Sequence, residues 1–172
     1  MCIVIDANVM SNVFDTNSKN HADFKSVHEW IYKGKGKVVY GGTKYIDEIP
    51  QRFRGIFINL RKARKAILIP EIDVDNEVIT VTKLGNTLSP KYNLDDQHII
   101  ALLRVSRCML VCSEDVGLHK ALRESSFFSP QKDRPKVYKT KKNKSLLVDS
   151  NISECCLPCV KTTNEQKSQL II

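Results

Sequence analysis

The feature that most constrains this chain is a set of short apolar runs, each stopping on a polar residue or a glycine pair. Cys2-Ile3-Val4-Ile5 runs into Asp6, Val38-Val39-Tyr40 into Gly41-Gly42, and Met109-Leu110-Val111-Cys112 into Ser113-Glu114-Asp115. Unbroken apolar runs of this length suit strands buried on both faces, as in a parallel sheet covered by helices. Between them, apolar residues recur at helical spacing: Phe24, Val27, Trp30 and Ile31; Val74, Val78, Val81 and Leu84; Ile99, Ile100, Leu102, Leu103 and Val105. Strands alternating with helices predict an α/β fold with a central, mainly parallel sheet and helices on both sides.

Local signals refine the outline. Ser18 or Asn20 can cap the helix through Trp30, and Gly34 and Gly36 end it. Thr43 caps a helical start that carries Asp47 and Glu48. Pro50 would clash inside a helix and biases Ile49 away from helical angles. It predicts a kink or two helices, the second running from Pro50 to about Ala66 with Phe53, Phe57, Leu60 and Arg64 on one face. Residues 67–69 read as a brief extended piece and 73–84 as a helix stopped by Gly85. Residues 93–96 open the next helix, and Asp115 opens a short one. Lys136-Val137-Tyr138 follows Pro135 and suits a sheet edge, since proline cannot donate to a ladder. Residues 146–148 can pack back onto the core. From 149 to 172 the chain is polar and without periodicity, which predicts a cysteine-containing tail behind a domain spanning 1–148.

The charge is uneven. The net charge is +8, yet residues 52–65 hold six bases (Arg52, Arg54, Arg61, Lys62, Arg64, Lys65) and no acid. Residues 132–144 hold seven bases against Asp133 alone, which leaves the remainder with 14 bases and 18 acids, a net −4. Basic blocks beside an acidic remainder suit a polyphosphate partner, whose counterions they release on binding. No apolar stretch nears the roughly 20 residues of a membrane span, and no signal peptide opens the chain, so a cytoplasmic protein without membrane contact is expected. Cys2, Cys108 and Cys112 sit in or beside apolar runs, where free cysteine packs as a small hydrophobe. Cys155, Cys156 and Cys159 lack a fourth ligand nearby in sequence, so a tail is favoured over a zinc or redox site.

Four acids occupy equivalent places in this outline. Asp6 and Asp115 follow buried strands, while Glu48 and either Asp95 or Asp96 lie in early turns of helices. If the strands are parallel, all four meet at the carboxyl edge of the sheet, where open α/β folds bind ligands. Carboxylates so gathered raise one another's pKa values unless a cation intervenes. A hard divalent ion, Mg²⁺ or Mn²⁺, prefers such oxygen donors and can activate water for phosphodiester displacement.

These residues carry a family resemblance. Val4-Ile5-Asp6-Ala7-Asn8-Val9 resembles the opening motif of PIN-domain nucleases, and Thr43 followed five residues on by Glu48 resembles the second. Residues 94–102, Leu-Asp-Asp-Gln-His-Ile-Ile-Ala-Leu, resemble the third, and Ser113-Glu114-Asp115 the fourth. The likeness covers roughly residues 1–148. It implies a three-layer α/β/α sandwich and a metal-dependent endoribonuclease cleaving single-stranded RNA, as in toxin or defence effectors. It also implies an inhibitory or activating protein partner, with a homodimer open. By position Asp6, Glu48, Asp96 and Asp115 become the metal-holding acids, with Asn8, Ser113 and Asp95 in support. Helical phase leaves Asp95 and Asp96 both open; spacing to the Ile-Ala-Leu run favours Asp96. Pro50 interrupts the helix beyond Glu48 and keeps Asp47 as its rival. The first basic block, Arg52 to Lys65, is the expected backbone contact. The alternative is a PIN-like module that binds RNA or a protein without cutting.

Overall fold

The computed structural model describes residues 2–88, 95–148 and 153–170. The sheet has five strands: β1 (Cys2–Ile5), β2 (Lys37–Gly41), β3 (Ala66–Ile69), β4 (Leu110–Cys112) and β5 (Lys136–Tyr138). Every neighbouring pair is parallel, in the order β3-β2-β1-β4-β5. The core strands β1 and β4 are wholly buried, as their unbroken apolar runs predict.

Helices fill the crossovers. α1 (Met10–Phe14) and α2 (His21–Tyr32) join β1 to β2, and α3 (Thr43–Glu48) and α4 (Gln51–Lys62) join β2 to β3. α5 (Glu71–Thr87) and α6 (Gln97–Ser106) carry the chain from β3 across to β4, and α7 (Val116–Ala121) precedes β5. The first two crossovers step one way along the sheet and the next two step back. Right-handed connections therefore put the two helix sets on opposite faces. The chain is an α/β sandwich with an all-parallel centre, as expected. Among the described residues no helix is long and apolar enough to cross a membrane.

Local physics explains how the helices depart from the sequence reading. Pro50 separates two helices: Ile49 is extended (φ −62°, ψ 115°), and Pro50 takes the N-cap of α4. That helix buries Phe53, Ile56, Phe57 and Leu60, but it stops at Lys62 rather than near Ala66. Arg64 turns left-handed (φ 55°) and the chain enters β3, so Arg64 does not share the buried face. α5 continues through Gly85 to Thr87, because a single glycine weakens a helix by only about 1 kcal/mol and need not end it. Thr43 is the first residue of α3 and not its cap. The capping partner comes from α5: Asp75 Oδ1 accepts the Thr43 N–H at 3.0 Å and Oδ2 accepts its hydroxyl at 2.6 Å. Gly42 makes the entry possible, with φ +82° and a hydrogen where a Cβ would lie 2.5 Å from Val74 Cγ1.

The C-terminal segment differs most from expectation. In its described part it lies against the domain, ending in α8 (Asn164–Gln169), whose N-terminus carries a capping box of Thr163 and Gln166. Thr162 N–H donates to Gly34 O at 3.1 Å, and Gln166 Nε2 donates to Ala63 O at 2.7 Å. Ser153 donates to the Ser106 carbonyl. Cys156 is fully buried, and the thiol of Cys2 is hydrogen-bonded within a group formed with Cys108, Cys155 and Cys156. Cys155 and Cys156 sulfurs are 3.6 Å apart, and all six cysteines are free. Cysteines distant in sequence thus meet at the amino edge of the sheet. A polar, aperiodic segment can dock through a few buried side chains and backbone hydrogen bonds that no hydrophobic period announces. Residues 89–94, including the Asn93-Leu94 start predicted for α6, and 149–152 lie outside the described residues.

Candidate functional site

The sheet reverses its direction of travel between β1 and β4, and ligands of open α/β sheets lie beyond the carboxyl ends of strands at such a point. The next residue after β1 is Asp6, and three residues beyond β4 is Asp115. Asp6 is only 5 % exposed. Its backbone N–H donates to Cys112 O at 2.9 Å, extending the parallel ladder by one rung. Its Oδ2 accepts the Ser113 hydroxyl at 2.6 Å and its Oδ1 accepts the Asn8 N–H at 3.2 Å. Ser113 Oγ in turn accepts the Asp115 N–H at 2.9 Å. Asp115 caps α7 through Oδ1, which accepts from Leu118 N at 2.6 Å.

Ser113 therefore supports the first acid with its hydroxyl proton and the last with its lone pair. Asn8 supports Asp6 through its backbone N–H, while its side chain lies at the exposed surface. This two-residue reach from a carboxylate to a following N–H is the ordinary Asx turn, available to any residue at position 8.

Glu48 at the end of α3 and Asp96 at the N-cap of α6 complete the set. Burial pushes the Asp6 carboxyl up, the Ser113 hydroxyl and Asn8 amide pull it back, and the charges of Asp115 and Glu48 raise it again. Asp96 is pushed up to about 6, first by burial and then by Asp6, Asp115 and Glu48, with Lys44 opposing. Neither Asp47 nor Asp95 is among the main charges acting on these two groups. Asp95 contributes its carbonyl, which accepts Lys44 Nζ at 2.7 Å.

Three residues at the site, Lys44, His98 and Tyr45, escape the sequence reading. Lys44 lies 3.8 Å from Glu48 Oε1 and is the cation that faces Asp96; its signal is the i,i+4 spacing to Glu48. His98, 2 % exposed, brings Nε2 to 2.9 Å from Glu48 Oε2 without the alignment of a formed hydrogen bond. Burial lowers its pKa and Lys44 adds to this, against the opposing pull of Glu48. Tyr45, fully buried, donates to Ile5 O at 2.5 Å and fixes the end of β1 beside Asp6. His119 lies within 2.9 Å of Ser113 O, where it props the loop rather than facing the acids.

The first basic block divides in space. α4 begins at the carboxyl edge and delivers the chain to the start of β3, so Lys62, Arg64 and Lys65 lie at the amino edge, away from the acids. Strands of four or five residues put those edges roughly 15 Å apart. Lys65 is 1 % exposed and donates to Gly34 O at 2.9 Å, so it cannot serve as a backbone contact at the acidic site. Arg61 lies near the Tyr40 hydroxyl, whose pKa burial raises and Arg61 lowers. Arg54 bonds Ile49 O at 3.4 Å, and Arg52 bonds Ser11 Oγ at 2.6 Å near Asp15; both belong to the carboxyl half. The second block also serves this edge: Lys139, Lys141, Lys142 and Lys144 follow the carboxyl end of β5, and all four are exposed. They are held by a turn that Thr140 and Asn143 cap reciprocally.

Four carboxylates with one nearby ammonium make a field suited to a hard divalent cation. The donors are of the right kind and sign, and they converge without being pre-seated: among the described residues no group of three or more His, Cys, Asp or Glu side chains is arranged to hold a metal ion. The chain matches no protein-family model, no curated protein sequence and no solved structure.

Proposed function

We propose that this chain is a PIN-like, metal-dependent endoribonuclease acting on single-stranded RNA. The observation that supports it most is the mutual repulsion of Asp6, Glu48, Asp96 and Asp115 at the reversal point of a parallel sheet. Crowded carboxylates beside a polyphosphate favour neither folding nor binding by themselves, and a cation shared among them resolves both. These four residues would hold Mg²⁺ or Mn²⁺, which when bound supplies charge stabilisation for an in-line displacement and acidifies water. Asp6, clamped by Ser113 and Asn8, presents a fixed carboxylate. Asp96, pushed up to about 6 by burial and by its acidic neighbours, gains most from a cation that offsets their charge. Lys44 is tethered by Asp95 O and offers an ammonium to a phosphate oxygen at the rim. Arg52 and the lysines after β5 supply a track for the RNA backbone.

We assign the reaction to the cytoplasm, under restraint by an inhibitory or activating protein partner, as a toxin or defence effector requires; a homodimer accords with the same reading. The test is cleavage of end-labelled single-stranded RNA and DNA with Mg²⁺, Mn²⁺ or EDTA, by the parent protein, Asp6→Asn and Asp115→Asn. Metal-dependent RNA cleavage lost in both variants supports the proposal. Binding without cleavage under every metal condition would sink it in favour of a non-cutting RNA-binding module.

A further inference from the structure

The amino edge of the sheet carries a second concentration of charge, opposite in sign to the first. A hollow of about 460 Å³ is walled by Lys37 at the start of β2, by Lys62, Arg64 and Lys65 between α4 and β3, and by Glu165 and Gln166 of α8. Four cations thus face one carboxylate. Among the described residues no carboxylate pairs with any of the four. Lys37 is 7 % exposed and Lys65 1 % exposed, so two ammonium-bearing side chains have been taken largely out of bulk water side by side. Lys65 is satisfied by Gly34 O, and Lys37 stands beside it in the wall of the hollow. Burial, with Lys37 next, pulls Lys65 down to about 8, and Cys159 opposes this. Arg64 stands exposed at the rim, its left-handed backbone (φ 55°) ending α4 where Lys65 N–H closes onto Leu60 O at 2.7 Å.

Like charges gathered around one hollow repel one another unless a counter-ion meets them. We propose that this hollow is a binding site for a small multiply charged phosphate anion of the pyrophosphate or nucleoside diphosphate class. It is independent of the acidic site, from which the length of the strands separates it. Its size falls within the range of roughly 300–1,000 Å³ typical of small-molecule pockets. Because α8 forms one wall and the α4–β3 turn another, the anion also fastens the C-terminal segment to the domain.

The test is calorimetric titration of the full chain with pyrophosphate, a nucleoside diphosphate, inorganic phosphate, sulfate and a short single-stranded RNA. Pyrophosphate or the diphosphate is expected to bind more tightly than sulfate and to raise the unfolding temperature. Lys37→Met and Arg64→Gly should each weaken that binding by about tenfold, the worth of one charge-assisted hydrogen bond, and Asp6→Asn should not alter it. Arg64→Gly suits the left-handed backbone and keeps the fold, so it decides the matter even if Lys37→Met unfolds. Affinity for pyrophosphate equal to that for sulfate, or unchanged in Arg64→Gly, overturns the proposal. RNA binding that alone responds to Arg64→Gly overturns it too and makes the hollow a nucleic-acid contact. Tight binding of pyrophosphate without the diphosphate supports the site as one for the free anion; the reverse supports it as one for the nucleotide.

Discussion

The Ser113 hydroxyl ties together the acids that follow two neighbouring strands: it donates to Asp6 Oδ2 at 2.6 Å and accepts the Asp115 N–H at 2.9 Å. Removing it leaves a buried carboxylate without its principal donor. Ser113→Ala should therefore cost about 1–3 kcal/mol in stability and push Asp6 further up. In urea unfolding the midpoint falls, and half-maximal cleavage needs several-fold more Mg²⁺ than the parent.

Asp96 gives a pH signature. Its folded-state value of about 6 lies above the ordinary carboxylate value. Between roughly pH 4 and 6 the folded chain binds more protons than the unfolded chain, so the stability contributed at this site falls as pH rises through that window. Asp96→Asn removes the penalty. After allowing for solvent screening of a partly exposed group, the variant should be about 1–2 kcal/mol more stable than the parent at pH 7 and show no advantage at pH 4. Urea curves at the two pH values check this.

Four substitutions distinguish neighbouring acids. Glu48→Gln and Asp96→Asn should lower metal affinity by about 10–100-fold, whereas Asp47→Asn and Asp95→Asn should leave it nearly unchanged. Isothermal titration with Mn²⁺ measures all four. Equal losses for Asp47 and Glu48 would mean that α3 presents its acids differently from the arrangement seen in this fold.

The division of the first basic block predicts how the proposed RNA binding responds to salt. Lys141→Ala with Lys142→Ala, or Arg52→Ala, should reduce the slope of log affinity against log salt by about one for each phosphate no longer neutralised. Lys62→Ala should leave the slope at the acidic site unchanged, since Lys62 lies at the other edge. Filter binding over a salt series with Asp6→Asn, which is expected to hold RNA without cutting it, gives the slopes.

A chain ended at residue 148 should be destabilised by roughly 2–5 kcal/mol, because buried side chains are removed along with donors to backbone carbonyls. It uncovers the pocket that buries Cys156 and frees the carbonyls of Gly34, Ala63 and Ser106. Thermal unfolding of the shortened chain against the parent measures the effect, and equal stability would show that the segment is a detachable tail.

Much of the fold is legible in the sequence because buried parallel strands leave a clear local trace. Cys2–Ile5 and Leu110–Cys112 are apolar throughout, and Lys37–Gly41 is apolar at its centre; each stops where the chain must turn. Pro50 announces its helix break because its constraint acts within a residue or two. The end of α4 is not legible: Lys62 to Lys65 have the composition of a continuing helix, and the left-handed turn at Arg64 is imposed by the entry into β3. Thr43 resembles a cap for a similar reason, since the residue that serves it, Asp75, is 32 positions away.

Local sequence is enough to dictate the alternation of strand and helix and to place an acid after β1, after β4 and beside two helix termini. Those facts follow from side-chain periodicity and backbone constraints that act over a few residues. The tertiary structure brings Glu48, and not Asp47, into one field with Asp6, Asp96 and Asp115, because that depends on which carboxylates lie close in space. It also split a single basic block between two edges of the sheet, and drew Cys155 and Cys156 against Cys2 and Cys108. The physical reason is common to all three: charge repulsion, hydrogen-bond satisfaction and burial depend on distance in space, and residues far apart in sequence carry no local mark of where they will meet.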